Sequence, residues 1–400
     1  MEVLFLAIIF LFIILAMAKG RQLYEAVFFS LILIIIFYRF SIFDAANYVL
    51  TASTSWSTLS ILLAFYFIAF LQRILESRRQ LELAQKDLDG IFHNRRINTA
   101  GASIFIGFLP AAAAMGLCSQ IVKDATDGYL TKKEQAFVTS WIRHIPESIV
   151  PTYSGILLIL GISGIETASY VVGMLIPVIF LMLIGYFAGL NKIPKDPGTC
   201  ESNNKFADFT NLLKHLWSLI LIVALIFIFK MDVCWSVLIA IIGCIFVYRF
   251  SWNEMKPFFK SAFEARLILI TYSVLVLKEF IAHTGALEVL PEMIQKLPLP
   301  AYLIFAILFF IITAISGSTS AIAIGAPLAF AALPVNTALV VYLMCMTHAA
   351  SQMGLTHTCV MVAAEYYGIT FGELIRKTIP YSLLFCIIAT IYYNLWMMFI

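Results

Sequence analysis

The chain has 400 residues, of which 62% are hydrophobic and 12% charged, and its formal net charge is +3. That is too apolar and too poorly charged for a water-soluble globule, so the composition marks a polytopic membrane protein. Basic residues gather between apolar runs instead of forming a patch interleaved with aromatics, which excludes a nucleic-acid partner.

Apolar runs of spanning length fall at 3–18, 23–38, 54–72, 135–163, 169–190, 212–229, 232–249, 263–283, 336–364 and 379–399. The first carries an A-x-A-like stretch ending at Ala18, but Met1-Glu2 is acidic where a cleaved signal wants positive charge, and a second apolar run follows at once. It is read as a retained helix. "RRQLELAQKDLDGIFHNRR", 78–96, reads as a solvated or membrane-surface helix. Two further runs, 98–125 and 299–333, are interrupted, the first at Pro110 and the second at "SGSTS", 316–320. Each arm of the first is about 18 to 22 Å long as helix, enough to reach the bilayer centre and not to cross it. Both are read as re-entrant hairpins.

This layout places Arg39, Lys230 and Lys296 on one side, Arg143 and Lys278 within apolar segments, and the remaining 21 of 26 basic residues on the other side. The positive-inside rule makes the crowded side cytoplasmic, with both termini outside a multi-pass inner (cytoplasmic) membrane. Lys278-Glu279, near the outer end of their helix, read as an interfacial pair. The same layout repeats: 1–190 and 212–400 each hold three spans, an interrupted hairpin and two spans, joined by a polar cytoplasmic linker at 191–211. Five crossings per half is odd, so the halves are expected to be inverted. The fold class is therefore an all-α inverted-topology repeat of about ten transmembrane helices and two re-entrant hairpins built from discontinuous helices.

Unwound backbone in hydrocarbon costs several kcal/mol per unpaired group, so it persists only where protein, ions or water satisfy it. Each half offers two such places: "GFLPAAAAMG" (107–116) and "PTYSG" (151–155), then "SGSTS" and "SQMGLTHT" (351–358). Any one break also reads as a packing feature, because Gly, Ser and Pro are common in membrane helices. Four breaks in repeat-matched positions read as a transporter site. Half-helix N-termini suit an anion, and exposed carbonyls and hydroxyls suit Na⁺.

The expected substrate-binding residues are Arg143, His144, Pro151, Thr152, Ser154, Gly155, Ser316, Gly317, Ser318, Thr356 and His357. Those expected to serve ion coupling are Glu147, Thr319, Ser320, Ser351 and Thr358. Arg143 and Glu147, four apart, can pair on one helix face. Arg143 then reads either as a counter-ion for an anionic substrate or as a buried structural pair near the cytoplasmic end. His348 reads as a packing histidine. Seven scattered cysteines without a CxxC pair signal neither a disulfide framework nor a metal site, and read as small apolar residues.

"WIRHIPE" with "PTYSGILL", "HTCVMVAAEYYG" (357–368) and "VLKEF" (276–280) resemble motifs of the domain of unknown function 401 family, which is grouped with the ion transporter superfamily of arsenite, citrate, gluconate and dicarboxylate carriers. The resemblance covers most of the chain. It implies an inverted-repeat carrier of 10 to 12 spans with two re-entrant hairpins, and it implies no substrate. "LPAAAAMG" stands where the resemblance leads one to expect Pro-Gly-Gly, which speaks against a cation site at the first hairpin tip.

The expected function is a secondary carrier for a small anion, a carboxylate or oxyanion, coupled to Na⁺ or H⁺ by alternating access. The alternative is a non-transporting membrane enzyme or scaffold. HExxH, GxSxG and Walker A signatures are absent from the sequence, so no enzyme is expected. Expected partners are the small anion and the lipid bilayer, with no cofactor beyond Na⁺ as coupling ion, and with a homodimer left open.

Overall fold

A helix pairs its backbone N–H and C=O groups within its own segment, as hydrocarbon requires, and every regular element among the described residues is a helix. The structure is a computed structural model that describes residues 2–92, 94–107, 112–196, 204–296, 298–354 and 357–399. The expected break at Pro110, the alanine tip of the first hairpin as far as 111, and Thr356 lie outside those residues.

The first half runs α1 (Glu2–Ala18), α2 (Leu23–Phe37), α3 (Ile42–Thr54), α4 (Trp56–Ser77), α5 (Gln80–Ile91), α6 (Arg95–Gly107), α7 (Ala112–Thr126), α8 (Lys132–Arg143), α9 (Ile145–Ile149), α10 (Ser154–Ser163) and α11 (Thr167–Ala188). The second runs α12 (Lys205–Phe227), α13 (Val233–Val247), α14 (Trp252–Ser261), α15 (Ala265–Ala282), α16 (Ala286–Gln295), α17 (Ala301–Ser316), α18 (Ser318–Ala332), α19 (Thr337–Ser351), α20 (Thr358–Tyr366) and α21 (Phe371–Met397). Among the described residues, five helical stretches are long and apolar enough to cross a membrane: Trp56–Ser77, Lys132–Ser163, Thr167–Ala188, Lys205–Phe227 and Phe371–Met397. They give the chain the build of a membrane protein. On α11, Val172, Leu175, Ile179 and Leu183 form an exposed apolar stripe at helical spacing, which in water would be a liability and in lipid is ordinary.

Packing partners recur across the halves. Helix α1 packs on α2 as α12 packs on α13, α2 on α15 as α13 on α4, α3 on α15 as α14 on α4, and α1 on α16 as α12 on α5. The hairpins are exchanged as well: α18 packs on α10 and α7 on α20, so each hairpin's second arm leans on the other half's broken helix.

Local signals set the helix ends. Thr131 with Glu134 and Thr370 with Glu373 form capping boxes that start α8 and α21, and Lys133 Nζ lies 2.8 Å from Glu373 Oε1. The expected linker ends early, because Asn204 accepts a hydrogen bond from the Ala207 amide (3.1 Å) and starts α12 at Lys205. The stretch expected to lie on a surface forms α5, which packs along α12 and joins it through Asp87 and His215, 2.5 Å apart. Lys278 does not make an ion pair with Glu279 among the described contacts. Its Nζ donates to the carbonyls of Gly161 (3.2 Å) and Ile162 (3.1 Å) at the C-terminal end of α10, where the helix dipole favours a cation.

Candidate functional site

Three helix starts meet at one cavity of about 350 Å³, those of α10, α18 and α20. Each arises from a local break. Residues 150–153 leave the helix between α9 and α10, and residues 352–354 and 357 do so between α19 and α20. Between α17 and α18 the whole break is Gly317, at φ +89° and ψ 164°, a conformation that a side chain rarely tolerates. The expected five-residue interruption at 316–320 is thus a single hinge, with Ser316 and Ser318 already helical. The first amides of an α-helix have no intrahelical acceptor, and the N-terminal end carries about half a positive charge. Ser154, Ser318 and Thr358 therefore bring three such ends to one place, drawn from both halves of the sequence.

The charged groups lie on the first half. Arg143 closes α8 with its side chain fully buried, and Nη1 donates to Glu147 Oε1 at 3.2 Å and to Cys359 Sγ at 3.7 Å. The pair expected from the four-residue spacing is thus formed. Glu147 keeps 22% of its side chain exposed and lines the cavity. His144 is wholly buried, with Nδ1 2.6 Å from the Ser140 carbonyl oxygen and Nε2 3.9 Å from Glu147 Oε1. Its ring lies 4.5 Å, centroid to centroid, from that of His357, whose Nδ1 is 2.9 Å from the Ser351 carbonyl oxygen.

The second half contributes hydroxyls. Ser316, Ser318 and Thr319 line the cavity beside Thr313. The buried Thr313 Oγ1 and Ser316 Oγ have no hydrogen-bond partner among the described residues, and unsatisfied buried oxygens of this kind mark a place for an ion or water.

Tyrosine hydroxyls tie the broken helices to their neighbours. Tyr153 donates to the Gly107 carbonyl at the end of α6, Tyr170 to the Ser148 carbonyl (2.7 Å) and Tyr367 to the Ser119 carbonyl (2.8 Å). Gly107 is needed for close approach: a Cβ there would collide with the carbonyl oxygen of Arg143.

Of the expected residues, Arg143, Glu147, Ser154, Gly155, Ser316, Gly317, Ser318, Thr319, Ser351, His357 and Thr358 line this cavity. His144 lies in the wall behind Glu147 and His357. Pro151 and Thr152 do not reach it; they face a separate apolar cavity with Ile68, Leu71, Leu219 and Phe227, because the unwound turn directs them to the opposite side. Ser320 is buried away from it, its hydroxyl donating to the Ser316 carbonyl (2.9 Å) and toward Met17 Sδ (3.1 Å). Thr347, His348 and Cys359 line the site without having been singled out for it. For Cys359 a signal was present, its place two residues after His357.

The likeness carried by the motifs around this cavity extends along the chain: the model of the family described as "Protein of unknown function (DUF401)" matches residues 3–396. The chain belongs to that family. No curated protein matches it. Residues 3–396 include every helix that reaches the cavity, so the site of this DUF401 protein lies wholly within the family's span.

Proposed function

We propose that this protein is a secondary active transporter of a small anion, a carboxylate or an oxyanion, working by alternating access around the broken helices. The observation that carries this reading is the meeting of three half-helix N-termini from both halves at one buried cavity beside the Arg143–Glu147 pair. The recurring packing partners and exchanged hairpins support two inverted repeats. The family's place in the ion transporter superfamily, ten spans, an inner-membrane location and outward-facing termini belong to the same reading.

Coupling follows from what the anion must displace. Arg143 is engaged by Glu147, so a substrate carboxylate gains the guanidinium when Glu147 takes up a proton or turns away. Na⁺ would be held instead at the second hairpin, where Thr313 and Ser316 offer unpaired oxygens. The deciding experiment is uptake of radiolabelled carboxylates and oxyanions into proteoliposomes, with imposed Na⁺ or proton gradients. Gradient-driven accumulation of at least one anion is expected; retention of none, by protein that is folded and oriented, would refute the carrier. Cysteine labelling checks the inverted repeat: a thiol placed within 78–92 reacts only from the cytoplasm and one beside Lys296 only from outside, and reaction of both from one face overturns it.

A further inference from the structure

The two histidines at the first and second breaks are held alike. In each, Nδ1 sits against a backbone carbonyl oxygen, Ser140 for His144 at 2.6 Å and Ser351 for His357 at 2.9 Å. A carbonyl oxygen only accepts, so Nδ1 carries the hydrogen and the neutral ring presents Nε2 as a lone pair. This is the arrangement by which proteins orient histidine ligands, with an outer carbonyl fixing the tautomer. His144 Nε2 is fully buried and has no hydrogen-bond partner among the described residues. The nearest carboxylate, Glu147 Oε1 at 3.9 Å, is another acceptor, so the gap between them is suited to a cation.

Cys359 completes a cluster: one ligand atom each from His144, His357 and Cys359 lies within 4.8 Å of the others. In a tetrahedral zinc site, Zn–N and Zn–S lengths of about 2.0 and 2.3 Å place neighbouring ligand atoms roughly 3.3 to 3.5 Å apart. Side-chain rotation on the order of 1 Å therefore closes the set.

We propose that the wall of the cavity binds a borderline-soft divalent cation of the Zn²⁺ class through His144 Nε2, His357 Nε2 and Cys359 Sγ, leaving the fourth position open to Glu147 or to an anion in the cavity. Two neutral imidazoles, one thiolate and a mixed N/S donor set suit zinc and its neighbours and not Na⁺, Mg²⁺ or Ca²⁺, which take oxygen. Cys359 releases its proton to solvent as the metal–sulfur bond forms. The metal, thiolate and Glu147 carboxylate sum to zero charge, and Arg143, hydrogen-bonded to the sulfur at 3.7 Å, leaves one positive charge facing an incoming anion. Because the ligands come from both broken helices, the metal would also pin the breaks together.

The test needs no transported substrate, so its failure leaves the carrier reading standing, and failure of transport leaves this site standing. Co²⁺ titrated into the purified, tag-free full chain in detergent is expected to bind once per chain, with a sulfur-to-cobalt charge-transfer band and intense tetrahedral d–d bands. An equivalent of Zn²⁺ should remove both. Cys359→Ser should abolish the charge-transfer band, and His357→Ala should weaken Zn²⁺ binding by roughly 100-fold or more, since even outer-shell losses cost 10- to 100-fold. On the unsubstituted chain, Zn²⁺ should protect Cys359 from alkylation as read by mass spectrometry. A charge-transfer band that survives Cys359→Ser, an absence of saturable Co²⁺ binding, or alkylation of Cys359 unaffected by Zn²⁺ would overturn the site.

Discussion

The two halves use one backbone device with opposite chemistry. At the first break, around 150–153, the neighbouring side chains are Arg143, His144 and Glu147, and the charge is internally paired. At the second hairpin, around Gly317, they are Thr313, Ser316, Ser318 and Thr319, neutral oxygens of which two have no partner among the described residues. A pair that already satisfies itself needs no ligand until one partner is protonated or displaced. A buried hydroxyl with no partner is costly from the start, by about 1–3 kcal/mol, and gains from any cation or water that arrives. In the proposed carrier, that difference would give recognition of the anion to the first half and capture of a coupling ion to the second.

The sharpest way to break that division is at the charge. Arg143→Gln is expected to lower uptake by about 100-fold or more, because the substrate loses its guanidinium and Glu147 is left without its partner. Arg143→Lys should recover only part, since a point charge cannot replace a bidentate fork. Normal uptake by both variants, measured with folded protein in liposomes, would make Arg143 a structural residue.

Gly107→Ala tests how the first break is held. The added Cβ would strike the Arg143 carbonyl oxygen, so thermal unfolding should show a loss of about 1–3 kcal/mol, the usual cost of overpacking. An unchanged melting temperature would mean that α6 does not constrain the break. A similar size of effect is expected for Lys278→Met, which removes the cation from the C-terminal carbonyls of α10. A charge-assisted hydrogen bond is worth about 1.5–3 kcal/mol, and the variant should also shift hydrogen exchange at 159–164 more than elsewhere. Exchange that changes uniformly along the chain would deny Lys278 a local role.

The smallest effects are expected at the second hairpin. Thr319→Ala should raise the Na⁺ concentration for half-maximal uptake about five-fold, the worth of roughly 1 kcal/mol in one lost ligand oxygen. Ser316→Ala should stabilise the protein by about 1 kcal/mol in sodium-free buffer, by removing an unpaired hydroxyl, and should lose any Na⁺-induced rise in melting temperature. Uptake that is full without Na⁺, follows pH and loses that dependence in Glu147→Gln would move the coupling role to the first half.

By itself the sequence determined what depends on hydrophobicity and backbone chemistry along the chain. Long apolar runs specify membrane-length helices because lipid rewards only them, and Gly, Pro and clustered hydroxyls marked the breaks because such residues stop or loosen a helix. The Arg143–Glu147 pair was legible because i,i+4 is a helical distance. What joins residues far apart in sequence belonged to the tertiary structure alone. Nothing in the spacing of Lys278 says that it caps α10 across the halves, nor that Pro151 and Thr152 turn to another cavity while Tyr153 reaches Gly107. Cys359, taken with the other cysteines for an apolar filler, acquires its place only when α20 brings it and His357 to His144, more than 200 positions earlier in the chain. Short-range patterning fixes each helix and each break, but only the packing of one half on the other decides which polar groups come to share a cavity.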